Sequence, residues 1–199
     1  MIEVAPGLRR WTEYHDHWEE QVGSLAVETD DGLLLVDPID PPRALRKPDH
    51  VLLTVFWHGR STAELKAKRV WAHSRSAQPL RNRGVEVTDA FKPGDELPGG
   101  LEAFATARVN EVVYWLPQQR SLAVGDVLLG AGAKPRPTQD PLRFCPERWL
   151  GKATHDDLRD TLQPLLDLPV QRVLVSHGEP VLRAGKAALA RILSGATAD

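Results

Sequence analysis

The hydrophobic pattern of the chain changes period several times, and each change predicts an element. Residues 22–30 alternate, Asp30, Asp31 and Gly32 supply a hairpin turn, and residues 33–36 continue as an apolar strand ending at Asp37 and Pro38. Residues 51–56 (VLLTVF) form an unbroken apolar run rich in β-branched side chains, the pattern of a strand covered on both faces. A polar turn follows, Trp57-His58-Gly59-Arg60, and Ser61 with Glu64 three positions on predicts a capping box opening a helix toward Leu65. Strands are predicted at 69–72, 84–88, 101–107, 111–116 and 121–124, with a short helical turn at 74–80 and a loop at 92–100. The strand, helix, strand order of 51–72 implies parallel pairing.

The last third repeats the plan of the middle. Residues 127–130 lead into an irregular segment carrying Pro135, Pro137, Pro141 and Pro146, and Phe144, Cys145 and Trp149 predict that it packs down. Thr154 with Asp157 caps a helix whose Leu158, Leu162, Leu165 and Leu166 share one face, with Pro164 distorting its last turn. Residues 172–176 form a buried strand, His177-Gly178-Glu179-Pro180 a second polar turn, and 184–193 a terminal helix.

A length of 199 residues suits one domain, 1–199, with room for a sizeable core. The 25 basic and 27 acidic residues nearly cancel without long blocks, so neither a nucleic-acid nor a membrane partner is expected. Cys145 is the only cysteine, which excludes an internal disulfide and a cysteine metal cluster and fits a reducing compartment. The first ten residues lack the apolar core of a signal peptide and no stretch reaches transmembrane length, so a cytoplasmic location is expected.

Candidate chemistry gathers at the polar turns, because ligands of α/β proteins bind at the carboxyl ends of strands. His15 and His17 are two apart, so on a strand they share a face and can ligate a metal or border a cleft. Ser61 and Ser176 lie near histidines without a nucleophile motif, Cys145 has no activating neighbour, and no glycine-rich phosphate loop occurs.

The stretches GSLAVETDDGLLLVDP, HVLLT, LAVGD and SHGEP, in this order, resemble the metallo-β-lactamase fold family of hydrolases over residues 22–193. The resemblance implies an α/β fold, an αββα sandwich of two mixed β-sheets packed face to face with helices outside. It also implies a buried aspartate at Asp37 and a dinuclear zinc or iron centre in a typical member. Here the family's main ligand positions fall on Val55, Trp57, Gly59 and Arg60, and its middle histidine falls in 106–109, where there is none. Only Asp126, as bridging aspartate, and His177, as final histidine, match. A dinuclear centre is therefore not expected, and the cofactor is none or one divalent metal: zinc, iron or manganese.

Two substitutes for the missing ligands follow. His58, with Asp126 and His177, completes a mononuclear site; it occupies a spacer position of the motif, so its ring is expected to point away unless Gly59 relaxes the turn. Arg60 stands in a ligand position and is expected to pair with the buried Asp126 in place of the metal charge. Asp126, His177 and His58 each also suit a plain structural role in a turn. The functions implied are a vestigial or mononuclear hydrolase using Asp126, His177, Arg60 and His58, a non-catalytic binder of a small molecule through Arg60, His58 and Trp57, or an interaction subunit. Glu111, Glu179, His15 and His17 are further cleft candidates without assigned roles, and no substrate is implied.

Overall fold

The structure, a computed structural model, describes residues 1–195. A seven-stranded sheet runs in sequence order through β1 (Ile2–Ala5), β2 (Leu8–His15), β3 (Glu20–Thr29), β4 (Gly32–Val36), β5 (His50–Leu53), β6 (Arg69–His73) and β7 (Asp89–Phe91). Its first four strands pair antiparallel and its last three join in parallel, as the strand, helix, strand pattern requires. A second sheet has the order β13 (Arg172–Val175), β10 (Ser121–Val124), β9 (Val112–Leu116), β8 (Glu102–Ala105), with β10 and β13 parallel. A small ribbon pairs β11 (Leu128–Gly130) with β12 (Leu142–Phe144).

Side-chain alternation sets the layering. On β4, β5, β9 and β13, Leu34, Val36, Leu52, Val112, Tyr114, Leu116 and Leu174 meet in one cluster between the sheets. Their neighbours Leu35, Val51 and Leu53 pack outward against α1 (Ala77–Arg81) and the adjoining turns. On the other sheet, Val113, Trp115, Leu122, Val124, Val173 and Val175 pack outward against α2 (His155–Leu162) and α3 (Gly185–Leu193). A strand with a period of 2 feeds both layers only when each face is covered, so the unbroken apolar runs and the two-sheet sandwich with outer helices are one fact.

Several local expectations need correction. The run at 51–56 is strand only to Leu53; Phe56–Glu64 forms 3₁₀ turns broken at Arg60, whose φ of 35° lies in the left-handed region. Ser61 caps no helix, because that break uses its hydroxyl differently: Oγ accepts the Asp40 N–H at 2.8 Å. Residues 84–88 are not a strand; Val85 and Val87 pack as irregular chain over the outer face, and pairing begins at β7. Residues 127–130 are partly strand, and β1 was not expected. The Thr154–Asp157 capping box forms as predicted, with Asp157 Oδ2 also accepting the Thr154 N–H at 2.8 Å. Among the described residues no helix is long and apolar enough to cross a membrane.

Candidate functional site

Three strand ends converge at one edge of the sandwich. The turn after β5 brings His58, the turn after β10 brings Asp126, and the turn after β13 brings His177; their exposures are 2%, 5% and 3%. They are the one group of three or more His, Cys, Asp or Glu among the described residues whose ligand atoms lie close enough, within 4.8 Å of one another, to share a metal ion.

The five ionisable groups here form a row. Asp37 Oδ2 meets His58 Nδ1 at 2.8 Å, and His58 Nε2 lies 3.1 Å from Asp126 Oδ1. Asp126 Oδ1 also lies 3.3 Å from His177 Nε2, and His177 Nδ1 contacts Glu20 Oε1 at the start of β3. Neither Nε2 approach has hydrogen-bond geometry, so Asp126 Oδ1 is a buried oxygen with no aligned donor. Its partner Oδ2 is satisfied, accepting the Trp57 indole N–H at 2.6 Å. Trp57 thereby turns the bare oxygen toward the two imidazoles.

Electrostatics follow from this crowding. Burial opposes charge on Asp126, but the two imidazoles outweigh it and hold the carboxyl well below its usual range. Burial likewise opposes the charged form of His177, and its contacts to Asp126 and Glu20 reverse the balance, raising its pKa to about 9. For His58, burial and then Arg60 push the pKa down while Asp126 and Asp37 push it up, and the net shift is upward.

A second row of groups holds Asp126 from behind. Glu111 Oε1 accepts the backbone N–H of Asp126 at 2.6 Å and of Val127 at 2.9 Å, and Oε2 accepts from Arg108 at 2.9 Å. Burial, reinforced by Asp126, raises the Glu111 pKa to about 7. Gly125 allows this approach: a Cβ there would sit 2.7 Å from Glu111 Oε1 and from Thr54 Oγ1. Arg108 lies over the Trp57 ring at 4.8 Å, bonds the Trp149 carbonyl and comes within 4.0 Å of Asp126. Trp18, on the turn between β2 and β3, covers the centre, with ring centroids 5.8 Å from His177 and 5.5 Å from Trp149.

Two site expectations are overturned. His58 points into the centre, because the chain turns at Val55 into a 3₁₀ coil, closed by His58 N–H to the Val55 carbonyl at 3.0 Å, and a turn of three residues swings position 58 inward. Arg60 does not pair with Asp126. Its strained backbone directs the guanidinium to the carbonyls of Gly23 (3.3 Å) and Asp37 (3.1 Å). The guanidinium nearest Asp126 is Arg108, inside the stretch 106–109 onto which the family's middle histidine position falls. Of the unassigned candidates, Glu111 supports the centre, His15 lies half-buried near it, His17 packs on Trp18, and Glu179 is exposed on another side. Cys145 is buried and its thiol is pushed up to about 12 by burial, in keeping with a structural role. Sequence reasoning missed Glu20 and Arg108, whose spacing carries no motif, and the hydrogen bond of Trp57.

No protein-family model matches the chain, and no curated protein sequence matches it. Solved structures do. A metallo-β-lactamase from Pontibacter korlensis is 17% identical with a TM-score of 0.69, covering 97% of this chain and 96% of that one. The DIM-1 metallo-β-lactamase is 18% identical with a TM-score of 0.67, covering 98% and 96%. FIM-1 from Pseudomonas aeruginosa, in its mono-zinc form, is 16% identical with a TM-score of 0.62, covering 95% and 91%. Likeness over nearly the whole of both chains at so low an identity speaks for architecture, and on that ground this chain has the metallo-β-lactamase fold.

Proposed function

We propose that this chain is a metallo-hydrolase-like protein that works with one divalent cation, held by His58 Nε2, Asp126 Oδ1 and His177 Nε2. The observation that carries the reading is Asp126 Oδ1, a buried oxygen without an aligned donor, faced by two ring nitrogens whose opposite nitrogens are each engaged by a carboxylate. Metal-binding imidazoles characteristically bond their outer nitrogen to a carboxylate, which fixes the tautomer and raises the basicity of the inner one. Two nitrogens and one oxygen suit zinc, iron or manganese, and three protein ligands leave a position open. One of the similar proteins, FIM-1, is described in a mono-zinc form, which supports a single-cation reading of this fold.

The cation would supply a polarising charge and lower the pKa of bound water. The chain's own groups supply the geometry. Asp37 and Glu20 orient the imidazoles, Trp57 orients Asp126, and Glu111 fixes the backbone of Asp126. Arg108 places a permanent positive charge beside the carboxylate, where it favours an anionic group on a substrate. Trp18, Trp57 and Trp149 limit access of water.

The near-complete burial of the three ligands favours a second reading, a binder that closes over a small molecule without turning it over. Elemental analysis of tag-free protein purified without chelator, followed by assay of the loaded and chelated forms on lactam, thioester, phosphodiester and lactone substrates, separates them. Stoichiometric metal with metal-dependent turnover supports the hydrolase, and stoichiometric metal without turnover supports the binder. Failure to retain zinc, iron or manganese would sink the metal site.

A further inference from the structure

A cleft of about 310 Å³ opens beside Glu20, bordered by Arg10, Thr12, Gln21, Glu20, Gly178 and Glu179. Arg10 is the unusual member. It sits on β2 opposite Leu25 of β3, only 7% exposed, and so carries a guanidinium into a nearly dry position. Its Nη2 donates to the Gly178 carbonyl at 3.2 Å, while its Nε is buried with no acceptor. Glu179 acts on it through space only, and against that attraction burial lowers its pKa, the larger effect. A buried guanidinium is costly unless an anion meets it.

The backbone beneath is shaped for this side chain. A Cβ at Gly23 would stand 2.7 Å from Arg10 Nη2 and 2.9 Å from Nε, so a glycine there gives the guanidinium room to lie flat on β3. Charge narrows the class of anion. Two carboxylates border the cleft, Glu20 and Glu179, so a dianion meets repulsion that a monoanion largely escapes. Glu20 has both oxygens engaged, by His177 and by the Lys134 N–H at 2.9 Å. Glu179 is exposed and its carboxylate accepts no bond among the described residues, which leaves it able to take a donor from a ligand.

We propose that this cleft binds a small monocarboxylate that also carries a hydrogen-bond donor, a hydroxy or amino acid, with its carboxylate on Arg10 and its donor toward Glu179. The volume lies at the small end of ligand cavities and suits a molecule of a few carbons. Because Glu20, which lines the cleft, bonds His177 and Gly178 follows it in the chain, the occupant is felt at His177. The site stands on its own residues and does not depend on metal being present.

Isothermal titration and NMR shift mapping of the whole chain with glycine, L-lactate, acetate and inorganic phosphate test this. Glycine or L-lactate is expected to saturate, with shifts centred on residues 10, 21 and 178, and to bind more tightly than acetate. Arg10→Lys, which keeps charge but loses the planar fork, should weaken binding by about tenfold, the worth of one charged hydrogen bond. Glu179→Gln, an exposed change, should erase the preference for glycine over acetate. If Arg10→Lys does not fold, Gly23→Ala, which pushes the guanidinium aside, takes its place with the same expected loss. Absence of saturation by every carboxylate, unchanged binding in Arg10→Lys or in Gly23→Ala, or tighter binding of phosphate than of the carboxylates would each overturn the proposal.

Discussion

The two imidazoles of the centre have the same partners in kind and very different foundations. His58 rises from the core of the first sheet. Its Asp37 partner accepts three donors, from the Thr54 N–H at 2.8 Å, the Thr54 hydroxyl at 2.5 Å and the ring itself, and all three residues are buried. His177 rests on Glu20, the first residue of β3, whose other oxygen accepts the Lys134 N–H at 2.9 Å; it adjoins the exposed Glu19, whose carboxylate makes an outward ion pair with Lys134 at 2.9 Å. The lesson is that a symmetric row of charges is supported asymmetrically. The His58 half is part of folding, while the His177 half is attached to a surface turn.

The largest expected effect comes from removing what the halves share. Asp126→Asn removes the carboxylate that both imidazoles face and should cost about 3–5 kcal/mol in the metal-free protein, as breaking a buried ion pair does, by urea unfolding. It should also abolish retention of zinc. Next comes the comparison itself. Asp37→Asn should cost about 1–3 kcal/mol, since it leaves buried donors badly paired, whereas Glu20→Gln, which keeps an oxygen for the Lys134 N–H and loses only its charge toward His177, should cost about 1 kcal/mol or less and weaken zinc by about 10–100-fold. Equal stability losses in the two variants would remove the asymmetry.

A pH series sharpens it further. His177 has a folded pKa raised from 6.5 to about 9, so in the metal-free protein its contribution is full below 6.5 and is lost as pH rises through about 9. A bound cation requires the neutral ring, so added zinc should stabilise progressively more over that window. Denaturation midpoints with and without zinc across that range check both signs. The smallest effect is expected from Trp18→Ala, about 0.5–1.5 kcal/mol for the lost ring contacts, with faster exchange of zinc into chelator as its readout.

Much of the architecture was legible because alternation and runs report layers directly. Leu34, Leu35 and Val36 on β4 look like one apolar stretch, and they are one because the strand faces a helix layer and a sheet layer at once. The site was legible only where a motif fixes a residue's place, as for Asp126 and His177. The expectation that His58 points away rests on the geometry of an extended motif, and the chain instead coils at Val55. Arg108, paired with Glu111, is the guanidinium that comes nearest Asp126 in place of the expected Arg60, because adjacency in sequence is visible and approach across two sheets is not. Glu20 lies 157 positions from His177, and no spacing rule spans that distance.

The row from Asp37 to Glu20 has a mechanical consequence. Asp37, His58 and Glu20 belong to the seven-stranded sheet, while Asp126 and His177 belong to the four-stranded one, so the row crosses the seam between the sheets twice. It acts as a rivet. Sliding one sheet over the other would strip four buried ionisable groups and the half-buried Glu20 of their partners together, so amide protons around Thr54 and Asp126 should exchange with solvent only when the whole sandwich opens.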